Sequence, residues 1–474
     1  MNKKSVIINF LWKFSERGLS QIISFVISLV LARMIDPSAY GTLALATVFT
    51  SILYVFIDCG LGTALVQSKE ADDLDYSSVF YFNLTMCTIL YIIVYFGAPL
   101  VSLFYNNPEL TPIVRASGLM IPVSGLRSIQ QAYVERTMQF KKFFLSTFLA
   151  SMISGAVGMI MAYSGYGVWA LVTMNFINVA TGTLVLWITV KWRPKLQFSF
   201  ERLKPLLNFG SKVLGSGLVI SIYGNSRQLL VGKFYTTSDL AFYNKGNSIP
   251  NCIVPTIQAS ITSVLLPTVS RYQDDLSQVR ELTGKAIAAL CLILWPMMIG
   301  LAACAEVFIP FAMTEKWIPA VPYMQLFCVE AAIWPVSSIY VNSIRAIGRS
   351  DFDFKIQTTV RIVGILLLLF MIQFGPFAVA LCAFLCSVFE ITVLCLATRK
   401  ILNYPIWQQL KNILPFMAMS FAMGLVVYFV GKLPISSFLL LMMQVLSGVI
   451  VYAVLILLFK RDMIQEFLSI FRKK

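Results

Sequence analysis

Apolar stretches of about 20 residues recur from one end of the chain to the other. A helix needs about 20 consecutive apolar residues to cross the hydrocarbon core of a bilayer, so each stretch is long enough to span a membrane. Only 12% of the 474 residues are charged, which is about half the share found in soluble domains. The chain therefore cannot cover a water-facing surface, and this excludes a soluble globular enzyme and a secreted disulfide scaffold.

These stretches predict an all-α polytopic membrane protein with about 14 transmembrane helices. The connections between them are short and leave no room for a second, soluble domain. The predicted spans are residues 9–33, 41–66, 78–104, 111–133, 143–164, 167–190, 206–232, 241–269, 283–312, 321–344, 355–374, 376–398, 412–431 and 434–459.

The residue types needed for several kinds of catalysis are missing from the sequence. The chain has no histidine, which excludes an imidazole metal ligand, a Ser-His dyad and a histidine proton shuttle. It has no Gly-x4-Gly-Lys-[Ser/Thr] loop of the kind that holds ATP phosphates. The nine cysteines lie in or beside apolar stretches and form no Cys-x2-Cys pair. We therefore expect no metal, no cofactor and no catalytic residue, and the chain is predicted not to be an enzyme.

The net charge of +15 follows the membrane topology. Most Lys and Arg residues lie in alternate connections, from Lys3 and Lys4 at the start to the basic tail after residue 459, whereas the opposite connections hold few, such as Lys316 and Lys432. This is the positive-inside distribution, and it predicts that both termini are cytoplasmic. The basic excess thus indicates orientation in a membrane and not nucleic-acid binding.

The two halves of the chain resemble each other in sequence. Asn9-Phe10-x2-Lys13 recurs as Asn208-Phe209-x2-Lys212, and Pro122-Val123-Ser124 recurs as Pro335-Val336-Ser337. Each half holds six predicted spans, an even number, so both halves start on the same side and the repeat is parallel. We expect two six-helix lobes whose interface is the transport path, followed by two additional helices and a basic tail. The predicted parts are residues 1–200, 201–400 and 401–474.

Several spans carry basic residues at a depth where a charge costs about 2.5–3.5 kcal/mol on insertion scales, so these residues should face the bundle interior or water. On spans one and seven they alternate with Ser and Tyr at intervals of three or four residues, which places them on one helix face. A cationic face favours an anionic passenger, and phosphate or pyrophosphate fits because Arg binds pairs of oxygens. The predicted substrate-binding residues are Arg17, Lys212, Arg227, Lys245 and Arg361.

Structural roles stay open for other intramembrane charges. Arg115 and Arg127 lie near span ends, from where an Arg side chain can reach the headgroups. Glu330 and Glu390 are able to pair with Arg361 instead of binding a ligand. The acidic residues between spans two and three are interpreted as a solvated cytoplasmic loop.

Four segments of the chain resemble one family of membrane proteins. They are Leu31-Ala32-Arg33-Met34-Ile35-x-Pro37-x2-Tyr40-Gly41, Asp58-x-Gly60-Leu61-Gly62-x-Ala64-Leu65-Val66-Gln67, Gly165-Tyr166-Gly167-Val168-Trp169-Ala170-Leu171-Val172 and Leu266-Pro267-x2-Ser270-Arg271. These segments resemble the polysaccharide-export branch of the multidrug/oligosaccharidyl-lipid/polysaccharide (MOP) superfamily. Within that branch the Wzx-type repeat-unit flippases, including colanic-acid and teichuronic-acid exporters, are the most similar.

The resemblance implies that the two lobes form a V-shaped cavity that opens alternately to the two sides. The implied cargo is an undecaprenyl-pyrophosphate-linked oligosaccharide, moved from the cytoplasmic to the outer leaflet of the bacterial inner membrane for O-antigen or exopolysaccharide biosynthesis. The implied partners are this lipid, the membrane lipids, a polysaccharide polymerase and glycosyltransferases. Cation-coupled exporters of the superfamily use buried carboxylates, which makes Asp58, Glu330 and Glu390 the candidates for ion coupling. Membrane potential is the other candidate driving force.

Two other functions compete with the flippase. A multidrug or cation antiporter of the same fold would need a cavity dominated by carboxylates, whereas basic residues outnumber acidic ones in these spans. A membrane-embedded polymerase or ligase would need catalytic residues in a sizeable outer loop, and the outer connections are short. The sequence therefore favours the flippase, with the antiporter as the alternative.

Overall fold

The computed structural model describes residues 20–58, 60–68 and 71–460, and these form helices joined by short connections. No strand occurs within those residues. The described residues include two 3-10 helices, Glu315–Ala320 and Ile372–Phe374. The α-helices in chain order are α1 (Ser20–Met34), α2 (Pro37–Asp58), α3 (Leu61–Gln67), α4 (Asp73–Tyr105), α5 (Leu110–Gly118), α6 (Met120–Arg136), α7 (Phe140–Tyr163), α8 (Val168–Thr189), α9 (Phe200–Phe234), α10 (Thr237–Ser270), α11 (Leu276–Met313), α12 (Val321–Ala346), α13 (Ser350–Met371), α14 (Pro376–Ile401), α15 (Ile406–Val430) and α16 (Ser437–Phe459).

The helices coincide with the predicted spans. In the described part of the chain, 12 helical segments are long and apolar enough to cross a membrane, with α2 and α3 counted as one segment. They match all but the first and fourth predicted spans. The first span corresponds to α1 within the described residues, and the fourth is divided into α5 and α6. The prediction of an all-α polytopic membrane protein is confirmed.

The second part of the fourth span, α6, carries polar side chains that bind neighbouring helices. Ser124 Oγ donates a hydrogen bond to Tyr54 Oη of α2 over 3.3 Å. Asn83 Nδ2 of α4 donates to Ser128 Oγ over 2.6 Å. Side chains that satisfy one another inside the helix packing lower the apolar content of α6 without exposing polar groups to lipid.

Large apolar side chains cover the outside of many helices. Phe96 on α4 is 73% exposed, and Val449 and Leu458 on α16 are 65% and 70% exposed. Soluble monomers rarely expose apolar patches of more than a few hundred Å². Such a surface is stable in the hydrocarbon core of a bilayer, so the chain is a multi-pass membrane protein.

The chain divides into two compact units, one that ends at Ala241 and one that begins at Phe242. In the first unit α7 packs along α8, and α9 packs on α2 and α4. In the second unit α11 packs on α12, α15 and α16, and Tyr452 Oη of α16 donates to the carbonyl oxygen of Leu292 over 3.0 Å. The last two helices are therefore part of the second unit. The predicted parts 1–200, 201–400 and 401–474 concern the sequence repeat and stay a prediction.

Two motif glycines have a structural reason in the first unit. A Cβ atom on Gly41 would lie 1.7 Å from the carbonyl oxygen of Thr237, so the start of α2 approaches the start of α10 more closely than any other residue allows. Gly165, in the turn before α8, has a φ of 79°, a left-handed conformation that glycine adopts without strain. Both glycines thus fix how neighbouring helices meet.

Candidate substrate-binding residues

Helix α9 carries a narrow stripe of polar and cationic side chains. Successive helical residues are rotated by about 100°, so Lys212, Ser216, Tyr223 and Arg227 fall within an arc of about 60°. Lys212 and Ser216 are exposed, and Tyr223 and Arg227 are half-buried. The guanidinium carbon of Arg227 lies 5.6 Å from the centre of the Tyr223 ring, one turn earlier. We call these four residues the cationic stripe.

The opposite face of α9 packs against another helix of the first unit, α2. A Cβ atom on Gly217 would lie 2.7 Å from the Val55 side chain, and one on Gly232 would lie 2.1 Å from the Leu45 side chain. Both partners belong to α2. Only 6% of the most apolar segment of α9 is buried, the lowest share among the described spans. Because glycines provide the contact with α2, the cationic stripe lies on another face of α9, exposed at Lys212 and Ser216 and half-buried at Tyr223 and Arg227.

The two cations of the stripe are far apart along the helix axis. Lys212 and Arg227 are 15 residues apart in the sequence, which corresponds to about 22 Å at 1.5 Å per residue. This distance far exceeds the length of a pyrophosphate group. One pyrophosphate can therefore contact Lys212 or Arg227 but not both at once.

Lys245 has a different environment. It lies on α10 in the second unit and is only 7% exposed. Its Nζ atom is 5.7 Å from the centre of the Trp317 ring, a distance at which a cation is attracted to the face of an aromatic ring. Trp317 is itself fully buried. A substrate phosphate would reach Lys245 only if this packing opened, so its predicted role in substrate binding stays a prediction.

The two predicted carboxylates of the second unit lie in a cluster that joins α12, α13 and α14. Ser387 Oγ donates to Glu330 Oε1 over 3.1 Å, and Gln357 Nε2 donates to Glu390 Oε1 over 3.1 Å. Arg361 follows Gln357 by one turn on α13, and its positive charge acts on the Glu390 carboxylate. The packing of α12, α13 and α14 thus brings together three of the predicted site residues, Glu330, Glu390 and Arg361. This arrangement fits the pairing alternative at least as well as a substrate-facing role for Arg361.

Two predicted site residues lie at the edge of what the structure describes. Arg17 lies outside the described residues. Asp58 is the last residue of α2, two positions before Gly60, which has a φ of 65° and precedes α3. The predicted roles of Arg17 in substrate binding and of Asp58 in ion coupling stay predictions.

Arg127 and Arg115 lie in the first unit, each beside a polar or aromatic partner. The side-chain amide of Gln131 lies beside the Arg127 guanidinium. When the amide oxygen faces the guanidinium, it accepts hydrogen bonds from Arg127 Nε and Nη2 over 3.1 and 3.2 Å. Arg127 Nη1 also lies 3.0 Å from where a Cβ on Gly182 of α8 would be. The Arg115 guanidinium stacks 4.3 Å from the centre of the Tyr95 ring. Arg127 therefore points into the helix packing, and its spacing of four residues from Gln131 is the signal that could have indicated this.

The acidic residues Asp72, Asp73 and Asp75 cap and begin α4 and are ion-paired, so their interpretation as a loop was wrong; Glu70 lies outside the described residues. Lys195 Nζ lies 2.7 Å from Asp73 Oδ2. The guanidinium of Arg202 lies between two carboxylates, with Nη2 3.8 Å from Asp72 Oδ2 and Nη1 3.9 Å from Asp75 Oδ2. The backbone N–H of Asp75 bonds to the Asp72 carboxylate and, together with the Arg202 charge, holds the pKa of Asp72 below its usual value. These contacts fasten the connection between α8 and α9 to the start of α4.

Known proteins with similar sequences are involved in polysaccharide biosynthesis. The chain is 24% identical over 353 residues to the succinoglycan biosynthesis transport protein ExoT of Rhizobium meliloti (strain 1021), covering 74% of this chain and 71% of that protein. It is also 24% identical over 330 residues to the lipopolysaccharide biosynthesis protein WzxC of Escherichia coli (strain K12), covering 69% of this chain and 67% of that protein.

Solved structures show the same fold. The lipid II flippase MurJ in an inward closed conformation matches with a TM-score of 0.78 at 17% identity, covering 97% of this chain and all of that chain. An inward-facing multidrug resistance transporter of the MATE family matches with a TM-score of 0.63 at 14% identity, covering 81% of this chain and 94% of that chain. The sequence pattern of the family described as polysaccharide biosynthesis protein matches residues 30–322. Since this match covers more than half of the chain, the protein belongs to that family.

Proposed function

We propose that this protein is a flippase that moves an undecaprenyl-pyrophosphate-linked oligosaccharide repeat unit from the cytoplasmic to the outer leaflet by alternating access. The observation that carries the proposal is the cationic stripe of α9, on a different face from the contact with α2, in a fold that the lipid II flippase MurJ shares. The family and the named biosynthesis relatives support a polysaccharide precursor as cargo.

The separation of the two cations suggests how the headgroup moves. Helix α9 begins after the basic connection that the positive-inside rule assigns to the cytoplasm. Lys212 lies nearer this end of α9 and Arg227 nearer the other. In our proposal Lys212 first attracts the pyrophosphate, and Arg227 then binds it with two parallel N–H···O bonds, a geometry that guanidinium supplies and ammonium does not.

The membrane potential supplies enough energy for this movement. Each elementary charge that crosses 100 mV exchanges about 2.3 kcal/mol. Two negative charges that leave an inside-negative cell therefore release about 4–5 kcal/mol. Ion coupling through Asp58, Glu330 or Glu390 is the second route, and in this route a cation moves inward as the lipid moves outward.

The proposed setting is the bacterial inner membrane with both termini in the cytoplasm. There the protein would receive its cargo from glycosyltransferases that assemble the repeat unit and pass it to a polysaccharide polymerase at the outer face. The competing function, a multidrug or cation antiporter, has the MATE fold in its favour. The cationic stripe argues against it, because an exposed basic face repels an organic cation.

The test is flipping of a fluorescent short-chain polyprenyl-pyrophosphate oligosaccharide in proteoliposomes, read by an external quencher. Wild-type protein should expose the lipid to the quencher faster than empty liposomes do. Arg227→Ala should slow flipping at least tenfold, Arg227→Lys should retain part of the rate, and the matched control Arg115→Gln should stay close to wild type. Export of an organic cation against a proton gradient, without lipid flipping, would establish the antiporter instead.

A further inference from the structure

An apolar cavity of about 330 Å³ lies between the helices of the second unit. Its walls are formed by residues 388–396 of α14 and 406–417 of α15, together with side chains of α11 and α12. The polar side chains in these walls donate hydrogen bonds to backbone carbonyl oxygens. Gln409 Nε2 donates to the carbonyl oxygens of Tyr404 and Cys395 over 2.7 and 3.1 Å, and Thr392 Oγ1 donates to that of Val388 over 2.7 Å. The cavity therefore presents hydrocarbon.

The cavity has the length of one leaflet and is open to the bilayer. Its lining residues on α15 extend over 11 positions, or about 16 Å, and half of the hydrocarbon core measures about 15 Å. Leu396 and Leu414, which line it, are 49% and 39% exposed. A single acyl chain that ends at the bilayer midplane would match this length.

Basic residues occur on both sides of the connection between α14 and α15, at one end of the cavity. Arg399 follows Thr392 by seven residues and Cys395 by four, so it lies on the cavity-lining face of α14. Lys400 is its neighbour, and Lys411 is exposed on the first turns of α15. Within the described residues none of these three cations pairs with a carboxylate.

Two further observations place this end at the membrane surface. Trp407, one residue into α15, is 75% exposed, and Trp is enriched at the headgroup level of membrane proteins. Arg280 Nη1 donates to the carbonyl oxygen of Asn403 over 2.9 Å, which brings a fourth basic residue to the same connection. The positive-inside rule assigns this connection to the cytoplasmic side.

We propose that this cavity binds one anionic phospholipid of the cytoplasmic leaflet, with an acyl chain between α14 and α15 and the phosphate at Arg399 and Lys411. Basic pockets between transmembrane helices on this side of a membrane are suited to anionic headgroups. The three cations provide the charge complementarity, and the leaflet-length apolar cavity provides the contact with the acyl chain. The site is separate from the cationic stripe, and the proposal does not depend on the flippase function.

The test uses phosphatidylglycerol that carries a photoactivatable diazirine in its acyl chain, with the purified full-length protein in nanodiscs. Crosslinks mapped by mass spectrometry should concentrate in residues 388–396 and 406–417, and the same probe with a phosphatidylcholine headgroup should label these segments much less. The double variant Arg399→Gln/Lys411→Gln should weaken phosphatidylglycerol labelling about 30-fold, the size expected for two basic residues at an anionic surface. Leu396→Trp should reduce labelling by occupying the cavity.

The matched control removes two exposed basic residues elsewhere, Lys204→Gln/Arg271→Gln, and should label like wild type. Equal labelling by the two headgroups would overturn the proposal, and so would phosphatidylglycerol labelling that the double variant leaves unchanged. Displacement of the probe by polyprenyl phosphate at equimolar amounts would also overturn it, because the occupant would then be the isoprenoid chain. The comparison of the two headgroups in wild-type protein remains decisive if a variant fails to fold.

Discussion

The spacing of the cationic stripe makes a quantitative prediction about Lys212 and Arg227. The two residues are about 22 Å apart along α9, so each meets the pyrophosphate at a different stage. A charge-assisted hydrogen bond contributes about 1.5–3 kcal/mol, which corresponds to a loss of about 10- to 150-fold when one partner is removed. Because one pyrophosphate cannot contact both residues at once, Lys212→Gln should slow only the capture of the lipid, and Arg227→Gln should slow only the later transfer step. Each variant should lose its own factor of about 10- to 150-fold, and the double variant should show both losses, each in its own kinetic parameter.

The assay is a double-mutant cycle on initial flipping rates in proteoliposomes, measured over a range of lipid concentrations. Since Lys212 acts at entry, Lys212→Gln should act on the half-saturating lipid concentration, and Arg227→Gln should act on the maximal rate. Ser216→Ala is the control on the same stripe and should change the rate less than threefold. A loss of the same kinetic parameter in both single variants would refute the reasoning, because it would show that both residues act on one bound headgroup.

Three further predictions concern stability. Gly41→Ala should lower the melting temperature of the detergent-solubilised protein, since the added Cβ meets the Thr237 carbonyl and overpacking costs about 1–3 kcal/mol; an unchanged melting temperature would contradict the close approach. Asp72→Ala should remove the cap of α4 at a cost of about 1 kcal/mol. The pKa of Asp72 is lowered in the folded protein. The ionised Asp72 carboxylate therefore contributes its full share to the free energy of unfolding above about pH 4, and this share is lost as the pH falls through the folded-state pKa. The difference in melting temperature between Asp72→Ala and wild type should therefore become smaller from pH 7 to pH 3. A difference that grows at low pH would refute this pH dependence. Glu390→Gln and Arg361→Gln should each destabilise the second unit by about 1–3 kcal/mol, because each leaves one charge without its neighbour. The double variant should lose less stability than the sum of the two single variants. Strictly additive losses would show that the two residues do not interact.

The helices of this protein could be predicted from sequence because a membrane span leaves a long, local signal. Runs of apolar residues predicted α11 and α16 without any knowledge of their neighbours. The signal weakened where helix contacts require polar side chains, as in α6, where Ser124 and Ser128 bond to residues of α2 and α4. The break at Leu119 between α5 and α6 left no such local signal, so the fourth span was predicted as one helix although the structure has two.

The candidate site was predictable to the extent that it follows helical periodicity. The common face of Lys212 and Arg227 follows from their spacing alone. The surroundings of Glu390 do not, because Gln357 comes from another helix, 33 residues earlier. Likewise the pairing of Asp73 with Lys195 spans more than a hundred residues, so the acidic segment had no local feature that distinguished an ion-paired anchor from a solvated loop.

The burial of Lys245 shows a further limit of sequence patterns. Lys245 was predicted to bind substrate, but Trp317, in a 3-10 helix more than 70 positions later, packs beside it. Periodicity identifies the face of a helix on which a side chain lies. It does not identify what covers that face.

The most direct test of the proposed function is the response of lipid flipping to an imposed membrane potential. Wild-type proteoliposomes loaded with the short-chain polyprenyl-pyrophosphate oligosaccharide would be given a potassium diffusion potential of either sign, in the absence of proton and sodium gradients. If two negative charges cross with the headgroup, 100 mV inside-negative should favour the outer leaflet by about 4–5 kcal/mol, and inside-positive should reverse the preference. An equal distribution of the lipid at both potentials would contradict the account, because the headgroup would then cross without its charge or not cross at all.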